Sequence, residues 1–155
     1  VLKSLQCPML KRSAVRHDQD VAQNSAVLDT VTGAETLDEI GTLLDRLWFS
    51  HDHVPDAVRT EMEIAVGEIS ANIIEHAAKD GPVRLRMEVH VLADKIQVSF
   101  VDDGPPAEVN VNAAVMPDYM AECGRGLPLA RTVLDRLHYR RSFVNHWTLV
   151  SRQFA

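Results

Sequence analysis

Three polar residues recur at intervals of four inside a largely apolar segment, residues 62–78. They are Glu68, Asn72 and His76. On a helix this spacing places them on one face, one turn apart. Asn is a poor helix former, and Glu and His resist burial, so such a row indicates either a solvated helix face or a ligand site. As a ligand site, the Asn72 oxygen suits Mg²⁺ shared with phosphates, and Glu68 can accept a proton or orient a metal-bound water.

Two glycine-bearing turns follow this row in the chain. The first, Asp102-Asp103-Gly104, comes directly after an alternating apolar segment. A carboxylate there can accept a hydrogen bond from an exocyclic amine, and Gly104 permits close approach by a ligand. The same turn is also among the commonest purely structural ones.

The second turn, Gly124-Arg125-Gly126-Leu127, precedes a predicted helix. Backbone N–H groups at a helix start bind phosphate oxygens, and Arg125 adds a charged donor. A glycine-rich loop entering a helix is the alternative. Neither a P-loop nor the dinucleotide-binding glycine fingerprint occurs in the chain. Together, the polar row and the two turns predict a site for magnesium-bound ATP.

The apolar periodicity predicts an α+β domain that positions these residues. The predicted order is a strand at 27–32, helices at 35–49 and 56–79, a hairpin from 83–91 and 96–102, a helix from about Leu127, and strands at 137–143 and 147–153. The simplest arrangement is a two-layer sandwich, with a mixed, mostly antiparallel sheet and helices on one face. Residues 1–25 are interpreted as a tail or linker, and residues 26–155 as the ATP-binding domain. The aromatic residues of the first helix and last strands, expected in the core rather than on a partner surface, are Trp48, Phe49, Phe143 and Trp147.

Composition narrows the class of protein. The chain has 155 residues, 46% of them hydrophobic, and 22 acidic against 16 basic residues give a formal charge of −6. That balance argues against a duplex nucleic-acid binder. Cys7 and Cys123 form neither a disulfide framework nor a zinc motif. No apolar run reaches the roughly 20 residues of a membrane span. We therefore expect a cytoplasmic protein with no direct nucleic-acid or membrane partner.

The three motifs in this order resemble those of the GHKL (Bergerat-fold) ATPases, and among them the bacterial anti-sigma-factor serine/threonine kinases. The stretch 68–76 is similar to the N box, 101–106 to the first glycine box, and 124–130 to the second. The resemblance covers residues 27–152. It implies a Bergerat ATP-binding fold with ATP and Mg²⁺ as cofactors.

The resemblance also implies a role for each residue. Glu68 would be the general base, Asn72 the Mg²⁺ ligand and Asp102 the residue that recognises adenine. His76 would lie near the triphosphate. The residues that would frame the lid and bind the phosphates are Gly104, Gly124, Arg125, Gly126 and Leu127.

Two features depart from the family pattern. Pro106 stands where many relatives carry a second glycine, although proline also occurs there in this subfamily. Val144 replaces a glycine before the last strand, and Asn145 then stands where a threonine often helps to bind adenine. Both departures are expected to weaken nucleotide binding without abolishing it.

By the same resemblance, we expect a kinase that phosphorylates a serine of a small anti-sigma antagonist, sequesters a sigma factor and forms a homodimer. Two alternatives stay open. One is the ATP-binding domain of a sensor histidine kinase, which normally needs an upstream helical hairpin with a phosphoacceptor His. Here His51 and His53 lie in a short connection. The other is a non-catalytic binding module of the same fold.

Overall fold

Five strands form one sheet in the computed structural model, which describes residues 24–107 and 126–155. The strand order is β1-β2-β3-β5-β4, and every neighbouring pair is antiparallel. The strands are β1 (Ser25–Val31), β2 (Arg84–Val91), β3 (Ile96–Asp102), β4 (Arg136–Arg141) and β5 (Asn145–Val150). The helices are α1 (Thr36–Ser50), α2 (Asp56–Asn72) and α3 (Gly126–Val133), and a π-helical turn, Ile73–Ala77, follows α2 directly.

The strands bury only one of their two faces. Along β2, Leu85, Met87, Val89 and Val91 are buried, whereas the residues between them are exposed or half-buried. This alternation follows from the two-residue period of a strand and places the helices on a single side of the sheet. The helical side of the core is formed mainly by α2, whose fully buried apolar residues are Met62, Ala65, Val66 and Ile69.

The sheet register brings together residues that are distant in the sequence. In the pairing of β3 with β5, Phe100 lies opposite Trp147, and Asp102 lies opposite Asn145. The last residue of β3 therefore meets the first residue of β5 at one end of the sheet. The same end carries the turn that contains Gly104.

The predicted order of elements is confirmed over the described residues, and the α+β class with it. One detail differs: the sheet described here is antiparallel throughout rather than mixed. The predicted tail lies outside the described residues except for Asn24 and Ser25. Also outside them lie both cysteines, Gly124 and Arg125. None of the described helices is long and apolar enough to cross a membrane.

The prediction of one regular helix over 56–79 was wrong at its C-terminal end. The α-helix ends at Asn72, and in the following turn the N–H of Ala78 donates to the carbonyl oxygen of Ile73, five residues earlier, at 3.1 Å. A π turn holds one more residue than an α turn. His76 is therefore displaced from the four-residue row that Glu68 and Asn72 begin.

The expectation that four aromatic residues lie in the core was half wrong. Trp48 and Trp147 are buried, but Phe49 and Phe143 are 92% and 96% exposed. Phe49 is the second-last residue of α1, and Phe143 lies in the turn between β4 and β5. Their apolar character did not distinguish them from core residues, because burial depends on which face each position presents.

Candidate active site

A cavity of about 400 Å³ opens where the C-terminal end of α2 meets the end of the sheet. Its lining comes from the α2 end and π turn, from the loop after β3, and from β5. The lining residues are Asn72, Ile73, His76, Ala77, Lys79, Asp80, Asp102, Pro105, Pro106, Ala107, Asn145 and Trp147. Three of the predicted site residues, Asn72, His76 and Asp102, thus share one cavity.

Asp102 is a buried carboxyl group whose two oxygens have different surroundings. Oδ1 accepts hydrogen bonds from the backbone N–H of Gly104 at 3.0 Å and from Nδ2 of Asn145 at 2.8 Å. Oδ2 is buried and has no hydrogen-bond partner among the described residues. A buried acceptor without a donor costs free energy unless something else supplies one. A ligand with an N–H donor would satisfy it.

Burial raises the pKa of Asp102 above its ordinary value of 3.8, because the ionised form loses hydration. The hydrogen bonds from Asn145 and Gly104 and the positive charge of Arg141 act in the opposite direction, while neighbouring Asp103 adds to the increase. Burial is the largest of these effects.

Gly104 is required by a close contact. A β-carbon at this position would lie 2.6 Å from Cβ and 3.0 Å from the carbonyl oxygen of Ala77. Real β-carbons do not approach other atoms this closely, so only glycine lets the loop after β3 pass against the π turn. This contact closes one side of the cavity.

Glu68 lies one helical turn before Asn72, outside the set of lining residues. It is half-buried, and a β-carbon on Gly126 would overlap its Oε2 atom. Glu68 therefore packs against the first residue of α3. Leu127, the next residue, is half-buried and packs against the core. The structure thus places Glu68 beside the start of the helix predicted to bind phosphate.

Asn145 has a structural environment that sequence reasoning missed. It is buried and donates to Asp102 and to the carbonyl oxygen of Pro105, both at 2.8 Å. Its Oδ1 accepts from the hydroxyl of Tyr139 at 2.7 Å and from Arg141 at 3.1 Å. The predicted start of the last strand at position 147 concealed this, because β5 already begins at Asn145. The signal was its alternation with Trp147 and Leu149, which marks an inward-facing position.

The residues present fit a magnesium-bound nucleotide better than a metal held by protein alone. No group of three or more His, Cys, Asp or Glu residues that could hold a metal ion occurs among residues 24–107 and 126–155. Mg²⁺ commonly takes one or two protein oxygens and completes its shell with water and phosphates. The amide of Asn72 on the cavity wall can be such a ligand. The unpartnered oxygen of Asp102 fits the amine of a base.

The chain matches one family model and several curated proteins. The family model described as histidine kinase-like ATPase domain matches residues 33–151. Serine-protein kinase RsbW of Bacillus cereus (strain Q1) is 26% identical over 99 residues, which cover 59% of each chain. RsbW of Bacillus thuringiensis subsp. konkukian (strain 97-27) shows the same identity and coverage. The present chain thus covers 59% of the length of these relatives.

Among solved structures, the catalytic domain of histidine kinase ThkA superposes with a TM-score of 0.49 at 14% sequence identity. The superposition covers 81% of this chain and 97% of that one.

Proposed function

The chain belongs to the histidine kinase-like ATPase domain family, within the GHKL ATPases, and on that basis we propose that it is a serine/threonine protein kinase that uses magnesium-bound ATP. One observation carries the nucleotide part of the proposal. Oδ2 of Asp102 is a buried acceptor that finds no donor within residues 24–107 and 126–155, on a residue that lines the cavity also lined by Asn72. The exocyclic amine of adenine supplies the missing donor.

The phosphates are proposed to lie toward the α2 end of the cavity and the start of α3. Asn72 would hold Mg²⁺, which neutralises charge on the phosphate oxygens when bound. His76, also on the cavity wall, would lie near the triphosphate. The backbone around Gly104 would frame the lid, and Gly124, Arg125, Gly126 and Leu127 would supply further donors to phosphate.

Glu68 is proposed as the general base. Its carboxylate would accept the proton of a serine hydroxyl while that oxygen bonds to the γ-phosphorus and ADP leaves. The position of Glu68 against Gly126 supports this role, because it sets the carboxylate beside the proposed phosphate-binding helix start. Little covalent chemistry is required of the protein in phosphoryl transfer, so positioning by a small domain suffices.

The partners are proposed from the relatives. Serine-protein kinase RsbW is similar to this chain at 26% identity. We infer that the substrate is a small antagonist of an anti-sigma factor, phosphorylated on serine, and that this chain also sequesters a sigma factor and forms a homodimer. The proposed location is the cytoplasm.

The test is phosphoryl transfer by Glu68→Gln with a matched control. Purified wild-type protein, Glu68→Gln and Glu75→Gln are mixed with the antagonist and ATP labelled at the γ-phosphate. Glu75 is exposed on the π turn and does not line the cavity. We expect Glu68→Gln to keep the wild-type affinity for ATP and to lose roughly 10²–10⁴-fold in transfer rate, the usual contribution of a general base. Glu75→Gln is expected to behave as wild type.

The same reaction separates the alternatives. An acid-stable phosphoserine supports the serine kinase, whereas an acid-labile phosphohistidine supports a histidine kinase domain. ATP binding without transfer from the wild type would instead indicate a non-catalytic module. Unchanged transfer by Glu68→Gln would reject Glu68 as the base.

A further inference from the structure

Asn145 uses all of its hydrogen-bonding capacity inside the protein. A side-chain amide has two N–H donors and an oxygen with two acceptor sites. Nδ2 donates to Asp102 and to the Pro105 carbonyl, with the Gly104 carbonyl oxygen also within 3.3 Å. Oδ1 accepts from Tyr139 and Arg141. Asn145 is 1% exposed. No donor or acceptor is left with which it could read a base directly.

The hairpin of β4 and β5 holds the loop after Asp102 at both of its ends. Nη1 of Arg141 donates to the carbonyl oxygen of Gly104 at 2.7 Å, and the N–H of Ala107 donates to the hydroxyl of Tyr139 at 2.9 Å. The two residues between them are prolines, which have no N–H. Since the Gly104 N–H donates to Asp102, every N–H of the loop 104–107 is bound.

We propose that Asn145 is a positioning residue for nucleotide selection: it holds the Asp102 carboxylate so that Oδ2 alone is left for the base, and through Tyr139 it ties the loop 104–107 to β4 and β5. The proposal rests on the nucleotide function above. It differs from the expectation that position 145 touches adenine itself. On this proposal, the selectivity for ATP depends on the buried amide of Asn145, which acts on the base only through Asp102.

The test replaces the Nδ2 donor of Asn145 by a carboxylate oxygen in a side chain of the same shape. Asn145→Asp keeps the oxygen that accepts from Tyr139 and Arg141 but sets a carboxylate oxygen against Oδ1 of Asp102. Like charges this close cannot both ionise readily. We expect ATP affinity to fall about tenfold or more at pH 8, as for loss of one charge-assisted hydrogen bond. The loss should shrink on acidification toward pH 5.5, because a shared proton restores the bond.

Asn145→Ala is the matched control, because it also removes the bond but brings no carboxyl group. Its loss of affinity should not recover on acidification. Other charged groups near Asp102 or the cavity, Asp103, Arg141, His76, Lys79 and Asp80, are common to all three proteins, so the comparison removes their titration. The selectivity for ATP over GTP should fall in both variants. A purely structural role would give equal losses at every pH.

A second measurement needs no nucleotide. Tyr139→Phe keeps the ring that packs on Trp147, with centroids 4.7 Å apart, but removes the hydroxyl. Amide hydrogen exchange at Ala107 should accelerate several-fold while exchange in β2 stays unchanged. Unchanged exchange at Ala107 would overturn the link between hairpin and loop, even if Asn145→Asp does not fold.

The outcomes distinguish this inference from the function on which it rests. If the wild type binds ATP and Asn145→Asp binds equally well at every pH, the positioning role is overturned and the ATP site stands. If the wild type binds neither ATP nor ADP, the proposed function is overturned, and the selection role with it. The exchange experiment then still decides whether the hairpin holds the loop.

Discussion

At the residue scale, Asp102 is the group on which the site depends. Its Oδ1 accepts two hydrogen bonds, whereas its Oδ2 accepts none from the part of the chain that the structure describes, although both belong to a residue that is 1% exposed. Proteins rarely leave a buried acceptor unpaired without a functional reason. Oδ1 therefore has a structural role, and Oδ2 is the oxygen proposed to bind the ligand.

Asp102→Asn tests that separation. The variant can keep an oxygen at the Oδ1 position and place an NH₂ group where Oδ2 was, so a donor then faces the donor of the adenine amine. We expect ATP affinity to fall at least roughly tenfold, since hydrogen bonds to charged groups contribute about 1.5–3 kcal/mol. Asp103→Asn is the control, because exposed Asp103 accepts from the Arg84 N–H through Oδ1, which asparagine retains. Calorimetric titration measures the ATP affinity of both variants.

The free energy of unfolding, measured against pH, shows whether Asp102→Asn is folded. It also tests whether burial raises the pKa of Asp102. The folded-state pKa of Asp102 lies above 3.8, so the folded state holds its proton more tightly than the unfolded state. The wild type therefore loses stability relative to Asp102→Asn as pH rises from 3.8 through the folded-state pKa, and the difference then levels off. Urea denaturation across this range measures it. A wild type that gains stability relative to Asp102→Asn as pH rises would contradict the burial argument.

Sequence reasoning located the residues of the site better than their environments. Asn72 and Asp102 were placed on the correct elements, since a helical period and a strand end are local properties. The network around Asn145 was not foreseen, because it joins a hairpin to a loop about 40 residues earlier through the sheet register. The individual roles of Glu68, Asn72 and Asp102 stay predictions.

At the element scale, the π turn after α2 and the loop after β3 are fitted to one another. Their contact is made by Ala77 and Gly104. The sequence did not reveal the π turn, because Ile69, Ile73 and Ala77 keep a spacing of four that suits a regular helix. The hydrogen bond from the Ala78 N–H to the Ile73 carbonyl oxygen is of the π type and marks the difference.

Gly104→Ala should destabilise the domain. The added methyl group would meet Ala77 at 2.6 Å and force the loop away from the π turn. Overpacking of this kind costs about 1–3 kcal/mol of unfolding free energy. The control is Gly41→Ala in α1, where no atom of the described residues outside the helix's own neighbouring backbone lies within 4 Å of the added carbon. There the substitution should stabilise by roughly 0.5–1 kcal/mol, since alanine favours the helix.

Chemical denaturation of the two alanine variants gives a pair of changes with opposite signs. ATP affinity should fall in Gly104→Ala, because the loop also forms the cavity wall, and stay unchanged in Gly41→Ala. Equal stability changes in both variants would show that the close contact at Gly104 is relieved without cost.

At the scale of the whole molecule, the cavity lies where the helical layer and the sheet meet. The order of elements and the antiparallel hairpin were predictable, because alternating and helical periods are strong over these segments. The exposure of Phe49 and Phe143 was not, since both positions leave the packed faces at the ends of elements. A ligand in this cavity contacts α2, the loop after β3 and β5 together, so its binding energy adds to the stability of the entire domain.

Magnesium-bound ATP should therefore raise the unfolding temperature, and Asn72→Ala should remove the part that depends on the metal. At a nucleotide concentration 100 times the Kd, the gain is about 2.7 kcal/mol, roughly 5–10 °C for a domain of this size. For the wild type the shift should be smaller when EDTA replaces Mg²⁺, because the phosphates then lose the cation that Asn72 is proposed to hold. Asn72→Ala should show the smaller shift under both conditions. Equal shifts with and without Mg²⁺ in the wild type would contradict the proposed role of Asn72 and would not affect the proposed adenine contact of Asp102.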